Sequence, residues 1–130
     1  MTAAHGFFPV VIHHNPACGT SRKTLELIRA SGYEPTIIDY LAEGWTRAQL
    51  LALFAAAGKS PRDMLREKNW DTEALGAFDP EMPDDAILEA MIAQPVLVNR
   101  PIVATPMGVR LCRPQETVLE ILAHNPADSE

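Results

Sequence analysis

One cysteine between a predicted strand and a predicted helix is the most reactive feature of this sequence. Cys18 follows an apolar, β-branched segment that ends at Ile12, and it precedes a helix predicted over residues 21–30. A thiol is a nucleophile only as its thiolate, and the free N–H groups and positive dipole end of a helix N-terminus stabilise that charge. Arg22, one helical turn further on, adds a full positive charge. Because the same N–H groups bind oxyanions, the segment predicts a reactive sulfur beside a place for an anionic substrate.

Two neighbours of Cys18 carry side chains that affect a thiol. Ser21 stands where a Cys-x-x-Cys site would have its second cysteine, so Cys18 has no local resolving partner and a catalytic cycle needs an external thiol. We expect Ser21 to cap the helix, to hydrogen-bond the sulfur, or to do both. His14 is a candidate proton carrier, or a cation that lowers the thiol pKa. A plain polar residue at the end of a strand is the alternative interpretation of His14.

Arginines concentrate late in the chain. Arg100 directly precedes Pro101 and Arg113 directly follows Cys112, and neither is a helix-surface position. A planar guanidinium binds a tetrahedral oxyanion through two parallel hydrogen bonds, which lysine cannot reproduce. In a net acidic chain, this concentration predicts a focused anion site. Further arginines lie at Arg62 and Arg66 in an inserted helical region and at Arg110 in a predicted hairpin.

Other cysteine chemistries fit the sequence poorly. Cys18, Cys112 and the histidines lack the spacing of metal ligands, so we expect no metal site. A phosphatase loop of the Cys-x5-Arg type is excluded because the sixth residue after Cys18 is Thr24. Cys112 is expected to pack inside the hairpin. Two cysteines so far apart argue against a disulfide scaffold and favour free thiols in a reducing cytoplasm.

Composition sets limits on the class of protein. The chain has 130 residues, 47% of them apolar, and a net charge of −6. This size predicts one domain with a proper core. The acidic charge argues against a general binder of nucleic acid or anionic membranes. The sequence has neither an apolar run long enough to span a membrane nor a recognisable signal peptide, so we expect a cytoplasmic protein.

The elements that must position Cys18 begin with a strand, a helix and a strand. Residues 7–12 predict a buried strand that ends at the Asn15-Pro16 turn. The helix over residues 21–30 stops at Gly32, and residues 36–40 predict a second strand. Two strands joined by a helix predict a right-handed parallel βαβ unit.

The rest of the chain predicts helices, then a hairpin. Thr46 and Gln49 form a capping box for a helix that ends at Gly58. Short helices are predicted to start at Ser60-Pro61 and at Asp84 or Asp85. Residues 96–98 and 102–104 are strand-like, residues 106–108 form a turn, and residues 109–112 pair back as a hairpin before a last helix over 116–123.

This order predicts a thioredoxin-like α/β fold: a βαβ unit and a β-hairpin-α unit form one sheet, with a helical insert at about residues 44–94. A proline before the hairpin, here Pro101, often is cis and faces the thiol in such folds. Residues 125–130 are a polar tail that we expect to be frayed. The whole chain, residues 1–130, is predicted to be a single domain of this type.

Over about residues 10–122, the chain resembles the glutaredoxin-coupled arsenate reductases of the thioredoxin superfamily. Three collinear segments carry the resemblance: His14-Asn15-Pro16-Ala17-Cys18-Gly19-Thr20-Ser21-Arg22, the stretch from Arg62 to Lys68, and Asn99-Arg100-Pro101-Ile102-Val103 with Thr105-Pro106 and Arg110-Leu111-Cys112-Arg113-Pro114. Extra residues before the first strand, a short tail after Ala123 and a lysine at position 23 are departures that touch no motif residue.

The resemblance implies a role in arsenic resistance through the reduction of arsenate to arsenite. Cys18 would attack arsenate and form a sulfur–arsenic ester, and glutathione, the co-substrate, would add to the arsenic. Glutaredoxin would resolve the mixed disulfide, with no bound cofactor. Three residues fall on the family's anion-binding arginines: Arg66, Arg100 and Arg113. Three others fall on the residues that tune the thiol and its loop: His14, Ser21 and Arg22.

Two other functions stay open at the level of sequence. Regulators that bind RNA polymerase share this fold. Those regulators that have a redox switch use a Cys-x-x-Cys pair, and this chain has Ser21 at the position of the second cysteine. Regulators of this kind without the pair also exist. A general glutathione-dependent thiol reductase is the other alternative, but a disulfide substrate would not need three arginines. The arginines therefore favour an enzyme that acts on an oxyanion.

Overall fold

The computed structural model describes residues 8–66 and 81–123. Its strands are β1 (Val11–His14), β2 (Thr36–Asp39), β3 (Ile102–Thr105) and β4 (Gly108–Leu111). Its α-helices are α1 (Gly19–Ala30), α2 (Tyr40–Glu43), α3 (Arg47–Ala57) and α4 (Asp84–Ala93). Short 3-10 helices cover Arg62–Met64, Pro95–Leu97 and Gln115–Ile121. None of the described helices is long and apolar enough to cross a membrane.

The chain divides into two compact units. The first, which we call the sheet unit, consists of the chain up to Asp39 together with the chain from Arg100 onward. The second, the helical unit, runs from Tyr40 to Asn99. The predicted insert at about residues 44–94 falls within the helical unit, and the predicted frayed tail at 125–130 lies outside the described residues.

The four strands form one mixed sheet in the order β2-β1-β3-β4. β1 pairs in parallel with β2, and α1 connects them, so the predicted βαβ unit is confirmed. β3 pairs antiparallel with both β1 and β4, which confirms the predicted hairpin. β1 is therefore a central strand of the sheet. The loop that contains Cys18 connects the end of β1 to the start of α1.

The first strand lies later than its apolar residues predict. It covers Val11–His14 instead of residues 7–12, of which residue 7 lies outside the described part of the chain. Both histidines belong to the ladder, where His13 pairs with Ile38 and His14 with Asp39, and both are buried. Backbone pairing with two neighbours, and not side-chain hydrophobicity, therefore sets the end of this strand.

Helix α1 also begins earlier than predicted, at Gly19 instead of Ser21, which makes Cys18 its N-cap residue. It ends as predicted, because Gly32 has a positive φ of 95° just after the last turn. The N–H of Gly32 donates to the carbonyl of Arg29, and the N–H of Tyr33 donates to that of Ile28. These two bonds form a Schellman motif, which requires a residue such as glycine at this position.

The core of the sheet unit lies between one face of the sheet, α1 and the 3-10 helix Gln115–Ile121. Ile12 and Val103 on the central strands and Ile28 on α1 are fully buried there. Complete burial of one such side chain contributes about 1.5–3 kcal/mol. The same cluster contains Val10, Tyr33, Cys112, Val118, Ile121 and Leu122. This packing holds the N-terminus of α1 in place at the end of the sheet.

The helical unit follows its capping signals. The capping box of Thr46 and Gln49 is present in both directions, and Gly58 ends α3 in the left-handed conformation, as predicted. Helix α4 begins at Asp84, as predicted, and buries Ile87, Leu88 and Met91. Arg47 on α3 pairs with Asp85 and with Glu89 on α4.

Two predicted elements differ in type. Residues 96–98 are not a strand: Pro95–Leu97 forms a 3-10 turn, and only Val98 makes an isolated bridge, with Leu65. Pro95 at the first position of this turn favours helical over extended backbone. The last helix is a 3-10 helix over Gln115–Ile121 instead of a helix over 116–123. Residues 96–98 are apolar because they are partly or fully buried, and not because they pair in a sheet. For this reason β-propensity alone assigns them wrongly to a strand.

Candidate active site

The loop between β1 and α1 is closed by the side chain and backbone of Asn15. The N–H of Cys18 donates to the carbonyl of Asn15 at 2.9 Å, and the N–H of Ala17 donates to Asn15 Oδ1 at 2.9 Å. The second bond is an Asx turn, in which the side chain imitates a backbone turn. Asn15 is buried, so these bonds are shielded from competition with water. The result is a tight bend that delivers Cys18 to the N-cap position of α1.

Ser21 joins the end of β1 to the first turn of α1. Its Oγ accepts a hydrogen bond from the N–H of Asn15 at 3.1 Å and lies 2.6 Å from His14 Nδ1. Ser21 is completely buried and lies inside the helix. The expectation that it caps the helix is therefore wrong, because α1 starts earlier and the hydroxyl points back to the preceding loop.

The sulfur of Cys18 lies among groups that favour its negative form. Burial alone would raise the pKa of this thiol, because Cys18 is only 9% exposed. The N–H of Ser21 and the guanidinium groups of Arg100 and Arg113 outweigh burial and lower the pKa below its ordinary value. The predicted activated thiol therefore has an identified physical cause.

Arg113 is held over the thiol by a second contact. Its Nη1 lies 3.9 Å from Cys18 Sγ and also donates to the carbonyl of Arg100 at 3.0 Å. Within the described chain, its Nε and Nη2 make no hydrogen bond, so two donors remain for a ligand. The Arg100-Pro101 and Arg113-Pro114 peptide bonds are both cis. Arg100 and Arg113 thus bring two positive charges to the sulfur from the two ends of the hairpin.

Comparison with known proteins places this site in a family. The ArsC family profile matches residues 13–121. The chain belongs to the ArsC family. It is 54% identical to arsenate reductase ArsI2 of Synechocystis sp. over 91% of this chain and 84% of that protein. It is likewise 54% identical to an arsenate reductase of Escherichia coli K12, over 87% of this chain and 80% of that protein.

A solved structure supports the same assignment. The arsenate reductase from Vibrio cholerae superposes with a TM-score of 0.83 at 40% identity, and the match covers 88% of this chain and 98% of that one. The thioredoxin-like α/β class expected from the sequence is confirmed, as is the resemblance on which it partly rested.

In this ArsC family chain, the surroundings of His14 favour its neutral form. Burial lowers its pKa, the carboxylate of Asp39 raises it, and the positive charges of Arg22 and Arg29 lower it; the net direction is downward. A lowered pKa favours the neutral imidazole near pH 7. Between the two chemical roles predicted for His14, its environment therefore favours the proton carrier over the cation.

Arg22 acts on the loop rather than directly on the sulfur. Its Nη1 donates to the carbonyl of Pro16 at 2.8 Å, and its charge lowers the pKa of His14. The groups that lower the pKa of Cys18 are those of Ser21, Arg100 and Arg113. Arg22 is thus an exposed clamp across the loop, and its predicted effect on the charge of the thiol stays a prediction.

Arg66 lies in the helical unit, at the end of the described stretch before residue 67. Its backbone N–H donates to the carbonyl of Leu97 at 2.8 Å. The N–H of Asn99 donates to the carbonyl of Met64, and these two bonds flank the bridge between Leu65 and Val98. The backbone of Arg66 is therefore anchored. Its role as a third anion-binding arginine stays a prediction.

Cys112 is buried, as predicted, but it directly follows β4 and packs in the core of the sheet unit instead of inside the hairpin. It is completely buried in the core cluster, and burial raises the pKa of its thiol to about 12. Within residues 8–66 and 81–123, no group of three or more histidine, cysteine or acidic side chains is arranged to hold a metal ion.

Asn15 is the structural residue of the site that sequence reasoning did not single out. It contributes three of the hydrogen bonds that shape the loop: to Cys18, Ala17 and Ser21. The signal was present, since asparagine before proline is typical of a turn closed by its own side chain. The Asn15-Pro16 pair predicts the turn, but no hydrogen bonds of the asparagine side chain are predicted from it.

Proposed function

We propose that this protein reduces arsenate to arsenite, with Cys18 as the nucleophile and with glutathione and glutaredoxin as the source of electrons. The observation that carries the proposal is the buried thiol at the start of α1, which has Arg113 3.9 Å from its sulfur and whose pKa is lowered by the N–H of Ser21 and by two arginines. The relatives named arsenate reductases, at 54% identity over most of the chain, support the choice of substrate.

The first step is the attack of the Cys18 thiolate on the arsenic atom. A sulfur–arsenic bond forms, and one arsenate oxygen leaves as water after it takes up protons. Arg100 and Arg113 are proposed to stabilise the negative charge on the remaining oxygens, and the Nε and Nη2 donors of Arg113 are available for this. A fork of this kind suits a tetrahedral oxyanion better than a point charge does. Arg66 is proposed as a third contact to the anion.

Two electrons must then reach the arsenic, and the neighbourhood of Cys18 contains no second thiol to supply them. Position 21 is serine, and Cys112 is buried with a pKa raised to about 12. Glutathione is proposed to condense with the arsenic and release a second water. A disulfide then forms between Cys18 and glutathione while arsenic leaves with the electron pair, takes up water and departs as arsenite. A glutaredoxin thiol displaces Cys18 from the mixed disulfide and restores the thiol.

His14 and Ser21 are proposed to keep the loop ready for this chemistry. Neutral His14, bonded to Ser21 at 2.6 Å, is placed to exchange protons during release of water. Arg22 is proposed to hold the Pro16 carbonyl, so that the loop does not shift when the oxyanion binds.

The test is arsenate-dependent oxidation of a mixture of glutathione and glutaredoxin, measured with the wild type and with Cys18→Ser. We expect arsenite formation, verified by mass spectrometry, in the wild type alone. If glutathione is oxidised without arsenate and the protein reduces small disulfides, the alternative function, a general thiol reductase, is supported instead. Equal arsenate reduction by Cys18→Ser would contradict the proposed nucleophile.

A further inference from the structure

A groove along α1 in the sheet unit lies outside the arsenate site described above. It has a volume of about 400 Å³ and is formed by α1 and by the start of the last 3-10 helix. Its lining residues are Lys23, Glu26, Leu27, Ala30, Gln115 and Glu116. This volume is in the range of small-molecule sites, which runs from about 300 to 1,000 Å³.

The groove starts close to the thiol in both chain segments that form it. Lys23 follows Cys18 by five residues, which is about 7.5 Å along the axis of a helix. On the other side, Gln115 follows Arg113 by two residues, and Arg113 touches the sulfur. A ligand in the groove that extends toward the N-terminus of α1 therefore approaches Cys18.

The charges in the groove are of both signs and are left available. Within the described chain, Lys23 and Glu26 form no ion pair, either with each other or with another residue. The carboxylate of Glu116 is oriented by Gln115, whose Nε2 donates to it at 3.3 Å. Arsenate carries only negative charge, so this combination suits a different kind of ligand, one with a carboxylate and an ammonium group together.

We propose that this groove binds the γ-glutamyl end of glutathione, an inference that rests on the proposed use of glutathione as co-substrate. This end carries a carboxylate and an ammonium on one carbon atom. Lys23 pairs with the carboxylate, and Glu26 or Glu116 pairs with the ammonium. The lysine side chain leans toward the N-terminus of its helix, which brings the paired carboxylate nearer to Cys18. The cysteinyl part of glutathione then faces the arsenic bound to Cys18, where its thiol is needed.

The experiment measures binding of S-methylglutathione, whose blocked sulfur cannot react. Its Kd is determined by amide chemical-shift titration of the wild type, of Lys23→Glu and of the matched control Lys59→Glu. Lys59 is an exposed lysine of the helical unit, so its replacement makes the same change in net charge away from the groove. We expect Lys23→Glu to raise the Kd about fivefold, and Lys59→Glu to leave it unchanged.

A kinetic measurement accompanies the titration. Lys23→Glu should raise the KM for glutathione in arsenate reduction, while the KM for arsenate and the rate with 2-mercaptoethanol, an uncharged thiol, stay at wild-type values. Binding of S-methylglutathione without any arsenate reduction would contradict the proposed function and leave the groove supported. Two results would overturn the proposal that the groove binds glutathione. In the first, the wild type reduces arsenate but does not bind S-methylglutathione. In the second, it reduces arsenate and the two lysine variants have equal Kd and KM values.

Discussion

The two cysteines of the sheet unit are both buried, yet their pKa values move in opposite directions. Cys18 is 9% exposed and its pKa is lowered, whereas Cys112 is fully buried and its pKa is raised to about 12. Burial acts on both thiols in the same sense, because it disfavours the charged form. The difference comes from what faces each sulfur.

Cys18 lies at the N-cap of α1, with a backbone N–H and two guanidinium groups directed at its sulfur. Cys112 is surrounded by apolar side chains of the core and lies 3.7 Å from the carbonyl of Arg110, to which its thiol donates. Burial raises the pKa of Cys112; the charge of Arg110 lowers it, and that of Glu120 opposes Arg110. A cysteine therefore becomes a nucleophile through donors at the sulfur, and burial without them makes it inert.

His13 shows the same effect of burial on a group whose charged form is a cation. It is buried in the central strand, and burial lowers the pKa of its imidazole to about 4. Desolvation therefore favours the neutral form of His13, as it does for Cys112. In His14, the next residue, opposing charges from Asp39 and Arg22 also act on the pKa.

Serine replacement at each cysteine tests the comparison most severely. Cys18→Ser should lower arsenate reduction by at least about 10³-fold, because the alcohol is a far weaker nucleophile at neutral pH. Cys112→Ser should keep most of the activity and lose about 1–3 kcal/mol of unfolding free energy, because a more polar group is buried in the core. The coupled assay and urea denaturation measure the two effects. A disulfide between Cys18 and Cys112 during turnover, seen by mass spectrometry, would overturn the external-thiol mechanism.

Removal of the guanidinium groups tests what makes Cys18 different. Replacement of Arg100, Arg113 or Arg66 by alanine should cost on the order of 2–4 kcal/mol in kcat/KM for arsenate, by analogy with the loss of one oxyanion donor. Lysine at the same positions should be poorly tolerated, because an ammonium lacks the planar fork.

The control for these variants must be an arginine without a role near the sulfur. Arg62 is unsuitable because its Nη2 donates to the carbonyl of Met82 at 2.7 Å. Arg47, which pairs with Glu89 on the surface of the helical unit, is preferable, and Arg47→Ala should keep wild-type kinetics. If the three alanine variants fold normally and also match the wild type, the arginines are ordinary surface charges and the oxyanion site is wrong.

The smallest effect concerns the pH dependence of thiol alkylation. An acid with a lowered pKa is deprotonated at lower pH, so the alkylation rate of Cys18 should rise with pH to a midpoint below the roughly 8.5 of a free thiol. Arg113→Ala should move this midpoint upward, since a hydrogen-bond donor and a positive charge beside the sulfur are lost. Cys112 should stay unmodified until the protein unfolds. A wild-type midpoint at or above the free value would contradict the activated thiol.

Sequence reasoning was most accurate where a local signal has a local cause. The glycine after α1 and the capping box of Thr46 and Gln49 lie where they were predicted, because each depends on a few adjacent residues. The turn of the hairpin is one residue shorter than the predicted 106–108, because Gly108 already pairs with Thr105. Sequence reasoning failed at residues 96–98, where an apolar run suggested a strand and the chain forms a 3-10 turn with one bridge. It also misplaced the start of α1 by two residues, and with it the role of Ser21.

By itself, the amino-acid order was enough to single out Cys18, to exclude a local dithiol and to indicate an anion site built from arginines. These conclusions follow from residue types and short spacings. Only the tertiary structure decided which groups reach the sulfur. Arg113 is 95 residues from Cys18 in sequence and 3.9 Å from its sulfur, because the pairing of β1, β3 and β4 brings the end of the hairpin to the start of α1. The pKa of a thiol depends on distances of a few ångströms, and those are determined by strand pairing and core packing across the whole unit.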